Sequence, residues 1–176
     1  GLRVLILERS TTETDLPRAV ALDGESLRAF QRIGLGKEIF GLCQPPREPN
    51  EIVFANSKRE VLFGMDVPYV GPNGWSDVIF FDQPELESAL RRIIAKNDRI
   101  HVRLGENVDA IKQDTDGVTL MSTARVSDTR SEYRARFAIG CDGASSFVRE
   151  AIGVAWQSLG YDQDWLVLDI TQGPGA

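Results

Sequence analysis

Five residues near the start of the chain, Val4-Leu5-Ile6-Leu7-Glu8, constrain the fold most. Preceded by Arg3, the run is too short for a helix, is rich in β-branched and leucine residues, and stops at the charged pair Glu8-Arg9 before the polar stretch Ser10 to Thr14. A continuous apolar run of this length, without polar alternation, reads as a strand buried on both faces of a parallel sheet. Parallel strands need crossover connections, and the segments that follow supply helical periods, so the expected class is α/β.

From Asp23 the period changes. Leu27, Phe30 and Ile33 recur every three residues behind Asp23 as N-cap, with Gly34 closing the segment. Pro45, Pro46 and Pro49 forbid a regular element over 44–50. Ile52 to Phe54 and Val61 to Phe63 read as two short strands around Asn56-Ser57-Lys58-Arg59, and Gly71-Pro72-Asn73-Gly74 as a loop. Val78 to Phe81 is a further apolar strand. The helix after it runs from Pro84 to Lys96, with Leu86, Leu90, Ile93 and Ile94 on one face, acids in its first turn and bases in its last. Alternating runs at 100–104, 107–113, 117–123 and 132–139 suggest a β-meander inserted into the α/β domain. Phe137 to Cys141 reads as a small-residue strand that leads into the turn Asp142-Gly143 and a helix starting after Ser146 and ending near Gly153.

Composition narrows the function classes. Across 176 residues the net charge is −6, and no Lys/Arg run is dense enough to neutralise a phosphate backbone, so nucleic acid is not an expected partner. Cys43 and Cys141 lack metal or disulfide spacing and read as packing groups in a reducing compartment. The single histidine, His101, lies in an alternating run as a solvent-facing strand residue, and no metal site is expected. No apolar stretch reaches membrane-spanning length, and the N-terminal residues carry no leader pattern, so the expected location is cytoplasmic, without a membrane partner.

An apolar strand that ends in an acid is what the second strand of a Rossmann unit offers a nucleotide, because the carboxylate accepts from both ribose hydroxyls. Glu8, with its neighbour Arg9, holds that place. The plainer alternative is a charged residue at a strand end. The Gly-rich phosphate loop belongs roughly 20 residues before such an acid. Only seven residues precede Glu8, so either Glu8 is incidental or the chain begins inside a larger protein.

The run Asp142-Gly143-Ala144-Ser145-Ser146-Phe147-Val148-Arg149 favours the second choice. A glycine turn followed by a Ser N-cap presents N–H groups and a carboxylate to a polar ligand. Its form, D-G-x-x-S-x-V-R, resembles the DG motif of the group A flavoprotein monooxygenases, the p-hydroxybenzoate hydroxylase-like family. Leu16 to Asp23 is similar to the family's segment after the ribose-binding acid, which implies that Arg18 reaches the FAD pyrophosphate. Phe81 to Glu87 is similar to its strand-to-helix corner, which implies that Gln83 contacts the flavin side. Asn107-Val108 falls where a backbone group meets the adenine, which maps onto Val108. Taken singly, Arg18 is a solvated loop arginine and Gln83 a cap. Four segments in the family's order and spacing make coincidence improbable.

The tail Tyr161 to Asp169 resembles the subgroup acting on 3-(3-hydroxyphenyl)propionate and related phenolic acids. The resemblance implies an FAD/NAD(P)-binding Rossmann-like domain, incomplete, with a β-meander and part of a β-sheet substrate domain. Residues 1–43 and 78–155 would form the FAD-binding domain; 44–77 and 156–176 would belong to the substrate domain. It implies NADH or NADPH as co-substrate, O2 and a phenol as reactants, and oxygen transfer through a flavin C4a-hydroperoxide. The expected cofactor-binding residues are Glu8, Arg9, Arg18, Gln83, Val108, Asp142 and Gly143; no catalytic residue, substrate-binding residue or oligomeric state is assigned. The chain is expected to be inactive in isolation. The alternatives are a non-catalytic fragment, an FAD-dependent halogenase or reductase of the same fold, and, ranked last, a nucleotide-binding module without redox activity.

Overall fold

The structure is a computed structural model, and it describes residues 1–13, 18–44, 51–161, 163, 164 and 166. The prolines at 45, 46 and 49 and Trp165 lie outside the described residues. In chain order the elements are β1 (Val4–Glu8), β2 (Ala21–Asp23), α1 (Gly24–Arg32), α2 (Gly36–Phe40), β3 (Glu51–Ala55), β4 (Val61–Asp66), β5 (Val78–Phe80), α3 (Gln83–Ile94), β6 (Ile100–Leu104), β7 (Glu106–Asp114), β8 (Gly117–Ala124), β9 (Arg130–Ala135) and α4 (Phe147–Ala151). They fall into two compact units, one of Gly1–Glu13 with Asp98–Ala176, the other of Thr14–Asn97.

In the first unit β1 pairs in parallel with β6, from Val4 opposite Ile100 to Glu8 opposite Leu104. The parallel strand expected at the start of the chain is therefore present. Its burial is not: Val4, Leu5 and Ile6 remain 43%, 40% and 37% exposed, because β6 is its sole ladder partner among the described strands and a two-stranded pair shields little of either face. The run at 100–104 thus leaves the meander, which holds three strands in the antiparallel order β7-β8-β9. The register of β7 and β8 shifts between Val108 and Ala110, a bulge that sets Asp109 out of the ladder. The strand expected over Phe137 to Cys141 does not form. Phe137 and Ile139 are exposed and the segment has no ladder partner among the described residues, and apolar patterning without a hydrogen-bonded neighbour does not hold an extended segment as a strand.

The second unit carries the hydrophobic core. Leu27 of α1, Ile39 of α2, Ile79 of β5, Leu86 of α3 and Phe81, which precedes α3, form one buried cluster, bordered by Leu22, Phe30, Leu35, Leu42, Cys43, Trp75 and Leu90. Helix α1 starts as its sequence dictates, with the Asp23 carboxylate accepting from Ser26 N at 2.7 Å. Ile33, expected on the apolar face, is instead the C-cap and 69% exposed, since the helix ends at Arg32 before another turn can bring it to the core. Asp82 caps α3 by accepting from Glu85 N, with Pro84 in the first turn, where a missing N–H is harmless. Ala21–Asp23, unforeseen as a strand, pairs antiparallel with β5. Hairpin β3–β4 forms around Asn56, whose side-chain oxygen accepts from Lys58 N and Glu60 N. Cys43 packs half-buried beside the core, with burial pushing its thiol pKa up; Cys141, expected as a packing group, is exposed, because the segment it ends forms no strand and joins no sheet that could carry it into a core.

Candidate functional site

At the C-terminal end of β1 the chain turns sharply, and Glu8 Oε1 accepts from Ser10 N at 2.7 Å. One carboxylate oxygen is thereby used to fix the turn. Ser10 O then accepts from Gly105 N at 2.9 Å, and Gly105 O accepts from Arg125 N at 2.8 Å. Two backbone hydrogen bonds meeting at Gly105 thus tie the β1 end, the β6–β7 turn and the β8–β9 loop together. Between these three loops lies an open, mainly polar depression of about 660 Å³, lined by Arg9, Ser10, Asn107, Thr123, Arg125 and Asp128.

The lining groups are chemically mixed. Arg9 and Arg125 are obligate cations and donors, Asn107, Ser10 and Thr123 can donate or accept, and Asp128 brings the one carboxylate among the lining residues. Such a set suits a ligand with hydroxyls and heteroaromatic nitrogens and is poorly matched to an apolar one. Asn107 and Val108 are consecutive on β7, with Val108 half-buried and paired with Ser122. Below them Glu106 and Ser122 are buried, and the Ser122 hydroxyl donates to Glu106.

The DG segment lies in the same unit, with α4 packed against β7. Gly143 adopts a φ of +82°, a left-handed turn that a side chain would strain. Asp142 accepts from the Ser146 hydroxyl and from Val148 N at 3.0 Å, and those two bonds, in that order, hold its carboxyl below the usual carboxylate range. The Ser146 hydroxyl also accepts from Arg149 N at 3.0 Å. The first-turn N–H groups that the sequence suggests are open to a ligand are therefore partly taken up by Asp142 and Ser146. Arg149 donates to Ala144 O and stands 5.1 Å over the Trp156 ring, closing the turn from its far side.

In the other unit Gln83 and Arg18 meet. Gln83 Oε1 accepts from Arg18 N at 2.6 Å and from Ala19 N at 2.8 Å, while its Nε2 donates to Glu87 Oε1 at 2.7 Å. The sequence suggests Gln83 as a helix cap, but Asp82 has that role and Gln83 clamps a distant loop. The clamp uses the Arg18 backbone, so its exposed guanidinium stays available; it makes no hydrogen bond or ion pair among the described residues.

The structure thus brings together Glu8, Arg9 and the Asn107-Val108 pair, and separately Arg18 with Gln83, and Asp142 with Gly143. Ser10, Thr123, Arg125 and Asp128 escaped the sequence reading. Thr123 and Arg125 border the depression only because β8 pairs along β7, and that pairing is not written in any local motif.

Comparison with known proteins identifies the family and the fold. The chain is 32% identical over 174 residues to a 3-(3-hydroxy-phenyl)propionate/3-hydroxycinnamic acid hydroxylase 1 of Burkholderia vietnamiensis, covering 99% of this chain and 27% of that protein. It is 32% identical over 169 residues to a probable NADH-specific resorcinol 4-hydroxylase of Rhodococcus jostii, covering 96% of this chain and 31% of the relative. The chain therefore spans less than a third of the length of both curated relatives. Among solved structures, p-nitrophenol 4-monooxygenase from Pseudomonas putida DLL-E4 superposes with a TM-score of 0.72 at 26% identity, over 87% of this chain and 38% of that one. The expected family and fold class are borne out, and with the family profile matching from residue 1 to residue 174, this chain belongs to the FAD binding domain family.

Proposed function

We propose that this chain is the FAD-binding portion of a flavin-dependent monooxygenase that hydroxylates a phenolic aromatic acid of the 3-(3-hydroxyphenyl)propionate kind, with NADH or NADPH and O2 as co-reactants. The observation that carries the reading is the end of β1, where Glu8 holds Ser10 and where Arg9 and Ser10 meet Asn107 at a polar depression built from three mutually bonded loops. The names of the two curated relatives support the substrate class, and the name of the second supports a nicotinamide donor.

The residues present fit FAD. Glu8 has one oxygen engaged by Ser10 N, and the other is the acceptor for ribose hydroxyls. Arg9 and Asn107 border the depression that would take the adenosine end, with Val108 next to Asn107 on β7. Arg18 would supply a guanidinium for the pyrophosphate, and the Gln83 clamp, made to its backbone, leaves that side chain unused. Asp142 uses its carboxylate to hold Ser146 and Val148, and with Gly143 it would border the cofactor. When bound, FAD supplies the redox chemistry, accepting a hydride from the nicotinamide and delivering oxygen to the ring. The residues of this chain bind and orient the cofactor, and none acts as a catalytic base. Residues 1–43 and 78–155 form the cofactor-binding part in this reading; 44–77 and 156–176 contribute to the substrate side.

The test uses the full-length protein that carries this chain. Oxidation of NADH or NADPH is followed with and without 3-(3-hydroxyphenyl)propionate, and the organic product is analysed. Faster oxidation together with a ring-hydroxylated product is expected. No stimulation by this acid or by a simple phenol such as resorcinol would remove the hydroxylase reading.

A further inference from the structure

The segment 18–23 runs antiparallel to 78–83, and the two are joined differently at their two ends. Asp23, Leu22 and Ala21 pair with Val78, Ile79 and Phe80, and Phe81 N donates to Val20 O at 3.0 Å. Beyond Phe81 the main chain turns into α3 behind its Asp82 cap and leaves the ladder. The Gln83 side chain takes over there, with Oε1 accepting from Ala19 N and Arg18 N at 2.8 and 2.6 Å. A glutamine amide carries an oxygen on one side and an NH2 group of nearly equal shape on the other, so the groups it faces decide which way round it stands.

Glu87 faces the other side of that amide. It lies one turn further along α3, and its Oε1 accepts from Gln83 Nε2 at 2.7 Å. Backbone amides can only donate, and an ionised carboxylate can only accept. With the two kinds of group on opposite sides, one orientation of Gln83 makes all three hydrogen bonds. The flipped orientation sets the NH2 group against two N–H groups and the oxygen against the carboxylate. Gln83 and Glu87 are both half-buried, so water relieves such a mismatch only in part. We propose that Glu87 is a positioning residue of the cofactor site, holding the Gln83 amide in the orientation that fixes the loop carrying Arg18. The inference rests on the FAD reading above for the role of Arg18, whereas the relay from Glu87 to the loop is a matter of geometry within Thr14–Asn97.

The test uses the full-length protein that carries this chain and reads two quantities, hydrogen exchange at the Arg18 and Ala19 amides without flavin, and FAD affinity. Glu87→Gln keeps an oxygen for Gln83 Nε2, and both amides are expected to stay protected. Glu87→Lys offers only donors and favours the flipped amide. It is expected to speed exchange at both amides about fivefold, the scale of one hydrogen bond, and to weaken FAD binding by a similar factor. In an Arg18→Ala background the same lysine is expected to cause no further loss of FAD affinity, because the relay reaches the cofactor through Arg18. Gln83→Glu sets two carboxylates face to face, and adding Glu87→Gln puts a donor opposite an acceptor again. Protection lost in that single variant is expected to return in the double one. Unchanged exchange in Glu87→Lys, or no recovery in the double variant, overturns the inference and leaves the FAD reading standing; the double variant decides if Glu87→Lys does not fold. An equal loss of FAD affinity with and without the Arg18 side chain also overturns it, since a residue acting only through the stability of the fold gives that result. Unaltered FAD affinity in Arg18→Ala takes both Arg18 and Glu87 out of the cofactor site, and the exchange pattern tells that outcome apart from a failed relay.

Discussion

Gln83 and Arg18 show how one contact can separate two roles. The clamp is made to the backbone amides of Arg18 and Ala19, so replacing the arginine side chain leaves it intact, whereas replacing Gln83 removes the acceptor for both. Arg18→Ala in the full-length protein is expected to weaken FAD retention by about 1.5–3 kcal/mol, the value of charge-assisted contacts to a phosphate, with little change in the thermal midpoint of the flavin-free protein. Gln83→Leu is expected to lower that flavin-free midpoint as well, by the equivalent of about 1 kcal/mol, because two amides must exchange a protein acceptor for water. Equilibrium flavin release and thermal unfolding measure the two quantities independently. Unchanged retention in Arg18→Ala would take Arg18 out of the cofactor site. Both residues could be found in the sequence because they sit in ordered segments; the hydrogen bonds that join them could not, since they span the whole of α1, α2 and the β3–β5 region.

Elements governed by neighbours in sequence were legible, and those governed by distant partners were not. The caps Asp23 and Asp82, the first-turn Pro84 and the Asn56 turn act over a few residues and form as their composition requires. The parallel pairing of β1 with β6 joins residues nearly a hundred positions apart, and its register is set by hydrogen bonds that no local pattern encodes. The run at 100–104 alternates like the meander strands, yet pairs elsewhere. Within the meander, β8 begins at Gly117, with a φ of +154°, and a Cβ built there would stand 2.3 Å from Ala135 O across the β8–β9 pair. Gly117→Ala must therefore push a ladder strand aside, and a loss of about 2–3 kcal/mol of stability is expected in denaturant titration. The same end of the meander is pinned by Arg134, which donates to both oxygens of Asp114 at 2.8 and 2.6 Å. Arg134 and the amides of Asp116 and Gly117 hold the Asp114 carboxyl at about 2, below its ordinary 3.8. A depressed folded-state pKa stabilises the protein above pH 4, and that stabilisation disappears as the pH falls through about 2. The thermal midpoints of the unmodified protein and Asp114→Asn should differ at pH 6 and converge towards pH 2. The pair is exposed, so the difference is small and shrinks in high salt.

At the scale of the whole molecule, the apolar interior and the proposed cofactor groups are unevenly shared. Every buried hydrophobic residue among the described ones, Leu27, Ile39, Val67, Ile79, Phe81, Leu86 and Ala89, belongs to Thr14–Asn97. Among the described residues of Gly1–Glu13 with Asp98–Ala176 the buried side chains are Glu106 and Ser122, while Val4, Leu5, Ile6, Val102 and Leu104 of the parallel pair stay exposed. Burial at roughly 25 cal/mol per Å² favours the Thr14–Asn97 unit, whereas the unit with the polar depression has most to gain from a bound nucleotide. Hydrogen exchange on the full-length protein, with and without FAD, should register that asymmetry. Removal of the flavin is expected to speed exchange at Ser10, Gly105, Arg125 and Asp128, whose amides hold the three loops or border the depression, and to leave the amides of α1, α3 and β5 as they were. Local opening follows the elements with the fewest buried apolar contacts, so a cofactor seated at the β1 end should protect those amides first. Equal deprotection of the Leu27–Leu86 core would mean that the cofactor supports the whole chain as one cooperative body. No change at the three loops would mean that the nucleotide sits somewhere other than the depression beside Glu8 and Arg9.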